Sequence, residues 1–184
     1  MFIRTERLFL RPGWPEDLDD LLEALSDEAV QRTAAFSPPP PTRQGAHDYL
    51  GGAVDPRFPR FCMYLRSAPG AKLVGGIGLA RRGDEVELGY WIAAAHRGRG
   101  YAAEAVRAMV EYARALGHRR LIVKHLARDD ASVSVLEAAG FRGDTSQSAP
   151  HRAAIGGESP PRIFVADLVR RDNVIKQRPE MLGA

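Results

Sequence analysis

The groups best able to do chemistry are concentrated between Ala95 and Ala103, where Arg97-Gly98-Arg99-Gly100-Tyr101-Ala102 runs straight into a helical pattern. The first N–H groups of a helix lack intrahelical partners and sit at the positive end of its dipole, so they bind phosphate oxygens. Gly98 and Gly100 let an anion reach the main chain with no Cβ in the way. Arg97 and Arg99 add charge and fork-shaped donors. The chemistry these residues predict is capture of a diphosphate. Two other readings use the same residues. One is a tight turn with its arginines in solvent. The other is a dinucleotide fingerprint, since Gly98, Gly100 and Ala103 fit G-x-G-x-x-A. That fingerprint opens a first βαβ unit and carries an acidic residue about 20 positions on. Positions 117 to 127 hold no Asp or Glu, and too little chain follows for the remaining parallel strands.

Other reactive side chains are sparse. Cys62 is the single cysteine, set among Phe61, Met63 and Tyr64 in an apolar segment, so it forms no disulfide within the chain and reads as a buried inert thiol. His47, His96, His118, His125 and His151 show no metal-ligand spacing, so no metal is expected.

The elements that must position the turn follow from period and punctuation. Phe2 to Arg11 alternates as a half-buried strand and stops at Pro12-Gly13. Leu18, Leu21, Leu22 and Leu25 recur at helical spacing after Pro15-Glu16-Asp17. The prolines of Phe36 to Pro41 exclude helix and central strand, and a short helix from Thr42 carries Ala46, Tyr49 and Leu50 up to Gly51-Gly52. Arg60 to Arg66, Lys72 to Ala80 and Glu85 to Ile92 read as strands joined by short turns, hence antiparallel neighbours. Tyr101, Ala105, Met109, Ala113 and Leu116 then form one stripe of a long helix, with Glu104, Arg107, Glu111 and Arg114 opposite and Gly117 as its stop. Leu121 to Leu126 is a strand, making a parallel crossover with the one before the helix. A second short helix runs from Asp129 or Asp130 to Gly140. An extended segment opens at Phe141, a polar loop spans 143 to 161, and Arg162 to Val169 closes the pattern. The order predicts an α+β, mixed α/β fold with helices on both faces of its sheet.

Length and composition agree. The chain has 184 residues, 45% apolar and 27% charged, which suits one domain over 1–170 with a polar tail at 171–184. A net charge of +3, with basic and acidic residues interleaved, argues against a nucleic-acid footprint. No apolar run approaches the ~20 residues of a membrane span, and no leader pattern opens the chain, so a cytoplasmic protein is expected by default.

Four separated stretches resemble one family. Thr5-Glu6-Arg7-Leu8-Phe9-Leu10-Arg11-Pro12, Glu87-Leu88-Gly89-Tyr90-Trp91-Ile92, Arg97 to Ala102 as Q/R-x-x-G-x-G/A, and Asp129-x-x-Ser132 through Gly140-Phe141 are similar to the GNAT superfamily of N-acetyltransferases. Within it they resemble the Rim-type branch, which includes ribosomal-protein N-terminal acetyltransferases. The resemblance implies a central, mostly antiparallel twisted sheet of six to seven strands. It implies acetyl-CoA as acetyl donor, an amine acceptor, no metal, and a monomer or homodimer. Its cofactor would contact Trp91, Ile92, Ala93, Arg97, Gly98, Arg99, Gly100, Tyr101, Ala102, Asp129 and Ser132. Asp129 stands where relatives carry asparagine, and Leu136 where many carry a tyrosine acid.

A neutral amine nucleophile needs a base. Glu87 lies on the strand that the resemblance places beside the thioester, and it is the candidate base; pairing with a surface arginine is its alternative. Ser132 is the candidate acid toward the leaving thiolate, or it caps its helix. A non-catalytic acyl-CoA-binding module would share the phosphate turn, and an NADP-dependent oxidoreductase would use its G-x-G-x-x-A look-alike.

Overall fold

A computed structural model of the chain describes residues 1–28, 30, 41–52, 55–66, 72–125, 130–144 and 162–168. Most of the proline-rich loop, the turn from Ser67 to Gly70, Asp129, most of the 143–161 loop and the 171–184 tail lie outside the described residues.

Eight strands form one sheet in the order β1-β2-β3-β4-β5-β6-β8-β7. They are β1 Ile3–Arg4, β2 Leu8–Arg11, β3 Arg60–Leu65, β4 Leu73–Arg82, β5 Glu85–Ile92, β6 Arg120–His125, β7 Arg142–Gly143 and β8 Arg162–Asp167. The helices are α1 Leu18–Leu25, α2 Arg43–Gly51, α3 Tyr101–Ala115 and α4 Asp130–Ala138. Neighbouring strands run antiparallel except β5 and β6, which are parallel.

The sheet is mixed and mostly antiparallel, as the resemblance implied, and the described residues give it eight strands, two of them two-residue edge pieces. The opening strand is not continuous. The Thr5 N–H donates to the Leu8 carbonyl at 3.0 Å and the Thr5 Oγ1 accepts the Leu8 N–H at 3.0 Å, which folds the segment into a hairpin that pairs Ile3 with Leu10. The short β7 adds the other edge, pairing Arg142 with Val165. A period-two pattern cannot reveal a turn whose bonds come from one threonine.

Side-chain alternation sorts the core into two layers. On one face Leu8, Leu10, Phe61, Met63, Ile77, Leu79 and Leu88 meet Ala105, Val106, Met109, Val110 and Ala113 of α3, with Leu136 and Phe141. Each fully buried aliphatic side chain of this kind contributes about 1.5–3 kcal/mol. On the other face Cys62, Tyr64, Trp91 and Ala93 are covered by Leu21, Leu25 and Ala46 from α1 and α2. The Cys62 thiol is 1% exposed, and burial pushes its pKa up to about 12.

The second layer closes around a buried ion pair. Arg11 grips Asp17 through two bonds of 2.6 Å, and its guanidinium lies between the Trp14 ring at 3.9 Å and the Tyr64 ring at 4.2 Å. Asp17 also accepts the Trp14 N–H at 2.7 Å. Burial alone would raise the Asp17 carboxyl, but the hydrogen bonds from Arg11 and Trp14 outweigh it and hold the group below the ordinary carboxylate value.

Candidate active site

The site begins where β5 and β6 part. β5 pairs with β4 along its whole length, from Glu85 opposite Arg82 to Ile92 opposite Gly75. Its backbone register with β6 joins Glu87 to Ile122 and continues no further among the described residues. The stretch from Gly89 to Ile92 is therefore where the register of β5 with β6 has ended.

Backbone alternation decides which groups face away from β4. The Ala93 N–H donates to the Val74 carbonyl of β4 at 3.0 Å. In an extended strand the N–H and C=O of one residue share a side and successive residues alternate. Trp91 therefore also faces β4, and its carbonyl lies 2.1 Å from where a Cβ on Gly75 would stand. Of the three amides of Trp91, Ile92 and Ala93, that of Ile92 is the one turned away from β4.

Beyond Ile92, one short turn from Ala94 to His96 leads to the glycines. Gly98 and Gly100 have φ of 71° and 77°, left-handed values that cost a residue with a Cβ about 1–2 kcal/mol each. A Cβ on Gly98 would meet nothing within 4 Å, so packing does not require glycine there; the backbone angle does, and it leaves open space over the main chain. Gly100 then occupies the N-cap of α3 without a side chain to satisfy the first amides. A diphosphate fits this arrangement, with positive helix end, uncapped amides, no obstructing Cβ and the exposed Arg99 beside it.

Arg97 is engaged within the fold as well. Its Nε donates to the Ile92 carbonyl at 3.1 Å and its Nη2 to Asp27 at 2.8 Å, so its fork ties the end of β5 to the residues after α1. His96 lies half-buried with its ring centroid 6.4 Å from that of Tyr101. Burial, with Arg99 and Lys72 nearby, lowers its pKa and favours the neutral imidazole.

Glu87 is 2% exposed at the point where the parallel strands last touch. Its carboxylate lies 3.4 Å from Arg82 Nε and 3.4 Å from Lys124 Nζ. By alternation it shares a face with Trp91, whose indole lies against Gly76 on β4. Ser132 lies in the first turn of α4, half-buried, inside the helix rather than at its cap. Leu136 is fully buried in the core, where it packs rather than reacts. Among the described residues no three His, Cys, Asp or Glu side chains gather as metal ligands would, and no helix is long and apolar enough to cross a membrane.

Comparison with known proteins agrees with this geometry. A model of the acetyltransferase (GNAT) domain matches residues 7–142, well over half of the chain. The chain belongs to the GNAT acetyltransferase family. This family is one of acetyl-CoA-dependent acyltransferases. Its fold is shared with a solved GNAT-family acetyltransferase from Bacillus anthracis, 22% identical, TM-score 0.72, over 91% of this chain and 99% of that one. RimL, a ribosomal L7/L12 alpha-N-protein acetyltransferase solved with coenzyme A, is 15% identical with TM-score 0.71, over 91% and 98% of the two chains. The microcin C7 self-immunity acetyltransferase MccE, solved with acetyl-CoA and AMP, is 14% identical with TM-score 0.66, over 89% and 93%. A sequence search of curated proteins gives no match.

The meeting of Glu104 with the N-terminal hairpin carries no local sequence signal. Glu104 lies on the polar stripe of α3, yet it accepts bonds from Thr5 Oγ1 at 2.5 Å and the Arg7 N–H at 2.7 Å. Contacts between residues nearly a hundred positions apart leave no trace in local spacing.

Proposed function

We propose that this GNAT family member transfers the acetyl group of acetyl-CoA to a primary amine, a protein N-terminus or a small-molecule amine, by direct attack within a ternary complex. The observation that carries the reading is the left-handed Gly98–Gly100 turn, which opens the uncapped start of α3 a short turn beyond the end of β5. Gly98, Arg99, Gly100, Tyr101 and Ala102 would hold the diphosphate, and the Ile92 amide the arm that leads to the thioester. Arg97 supports the turn from behind. When bound, the cosubstrate supplies an acetyl thioester whose leaving thiolate needs little acid assistance.

The chain supplies the proton chemistry. Free amines have pKa values of about 8 for an α-amino group and about 10.4 for lysine, so the acceptor arrives protonated. Glu87 is the buried carboxylate beside the splay, and it accepts that proton directly or through water. Ser132 and Asp129 complete the proposed site on α4 and just before it. No covalent enzyme intermediate is required, and the buried Cys62 takes no part.

A second reading, an acyl-CoA-binding module without turnover, draws on one observation: both cations near Glu87 already pair with it. A thiol-release assay with acetyl-CoA against N-terminal peptides, lysine peptides, polyamines and antibiotic amines separates the two. Release of coenzyme A with a matching acetylated product supports the enzyme. Tight coenzyme A binding with no release across the panel supports the module, and no binding at all sinks both.

A further inference from the structure

We infer that Arg7, on the N-terminal hairpin, is a positioning residue for the diphosphate turn: it fastens the Arg99–Gly100 peptide in place and withdraws the Glu104 carboxylate from the anion. This rests on the cofactor site proposed above. Arg7 Nη1 donates to the Arg99 carbonyl at 2.8 Å, inside the turn itself. Its Nε donates to Glu104 Oε2 at 2.7 Å, and its guanidinium lies 4.8 Å from the Tyr101 ring centroid. Its Nη2 is the nearest atom to a Cβ built on Gly100, at 3.4 Å. One side chain thus reaches the residues on both sides of Gly100, Arg99 and Tyr101.

Two physical problems make such a tether useful. A turn containing two glycines loses more backbone freedom on ordering than any other, so an anion would have to supply that ordering unless the fold does. Arg7 supplies it beforehand through the Arg99 carbonyl, while β2 carries Leu8 and Leu10 into the core and anchors the arginine. The second problem is charge. Glu104 sits in the first turn of α3, where a carboxylate competes with phosphate for the positive helix end. Thr5 Oγ1, the Arg7 N–H and Arg7 Nε together accept none of that competition: all three donate to the carboxylate and hold it against the hairpin. The Glu104 side chain is 11% exposed. Burial would raise its pKa, but the bonds from Thr5 and Arg7 lower it, so the charge is retained and shielded.

The test measures calorimetric binding of coenzyme A and inhibition of acetyl transfer by pantetheine, which has the thiol arm but no diphosphate. The variants are Arg7→Met, Arg7→Lys, and Arg7→Met combined with Glu104→Gln. Arg7→Met is expected to weaken coenzyme A by about tenfold to a hundredfold, the range for losing a charge-assisted hydrogen bond. Adding Glu104→Gln should recover part of that loss, since the stranded carboxylate is then neutral. Arg7→Lys should fall between wild type and Arg7→Met, and it answers the same question if the methionine variant does not fold. Pantetheine inhibition should stay constant throughout. Coenzyme A binding within twofold of wild type in the Arg7 variants overturns the inference, as does a parallel loss of pantetheine. Absence of coenzyme A binding by the wild-type protein overturns the cofactor site itself.

Discussion

Glu87 and Lys124 meet across the parallel β5–β6 seam, carboxylate to ammonium at 3.4 Å, at the last position where the two strands are in register. The carboxylate is buried, whereas Lys124 and Arg82 have side chains 41% and 52% exposed. Ion pairs with partners this exposed contribute about 0–1 kcal/mol. A competing ammonium can therefore displace them at small cost.

Glu87→Gln is expected to lower kcat by about a hundredfold or more, the usual contribution of a general base, while leaving coenzyme A affinity unchanged. Steady-state kinetics with a responsive amine, paired with calorimetry, reads both. An unchanged kcat would remove Glu87 from the mechanism.

Gly98→Ala separates conformational need from packing need. The added methyl meets no neighbour within 4 Å, so the variant should fold with a loss of about 1–2 kcal/mol from the left-handed backbone angle. Coenzyme A binding should fall well beyond what that stability loss explains, because the methyl stands where the anion would approach. Equal coenzyme A affinity in the two proteins would place the diphosphate elsewhere.

Gly76→Ala tests the opposite case. Its Cβ would stand 2.6 Å from Trp91 Nε1 and 2.9 Å from Cε2, atoms of a rigid ring buried beneath α1 and α2. Overpacking of this kind costs about 1–3 kcal/mol. Urea denaturation should show that loss, and Gly76→Ala with Trp91→Phe should return part of it. Full stability in the single variant would mean the indole has room to move.

Acid should weaken the fold through two carboxylates. Asp17 and Glu104 both have folded pKa values lowered by their hydrogen-bond donors. Each contribution is complete above the unfolded values of about 3.9 and 4.3 and disappears as pH falls through the lower folded values. Denaturation midpoints should thus decline below about pH 4. Asp17→Asn should flatten that decline while lowering stability at pH 7. A pH profile identical to wild type would show that the buried Arg11 pair contributes nothing across this range.

Much of the architecture was legible before any coordinates, because periodicity and punctuation are local. The stripe Ala105, Met109 and Ala113 identifies α3, and the β3, β4 and β5 segments lie where alternation put them. The Gly98–Gly100 turn into α3 was legible for the same reason: its glycines, arginines and helix start are adjacent in sequence. The break of the opening segment at Thr5 was not, since hydrophobic alternation continues through the hairpin and the turn is made by hydrogen bonds.

From residue order alone came the family, the mixed sheet with helices on both faces, and the glycine turn that opens α3, all of which depend on chemistry concentrated within a few consecutive positions. Only the tertiary structure decided that Ile92 rather than Ala93 turns its amide away from β4, that Arg97 is spent on Asp27, and that Arg7 and Glu104 converge on the turn. Those outcomes depend on which strand stands beside which and on where side chains distant in sequence meet, and that information exists only once the chain has closed on itself.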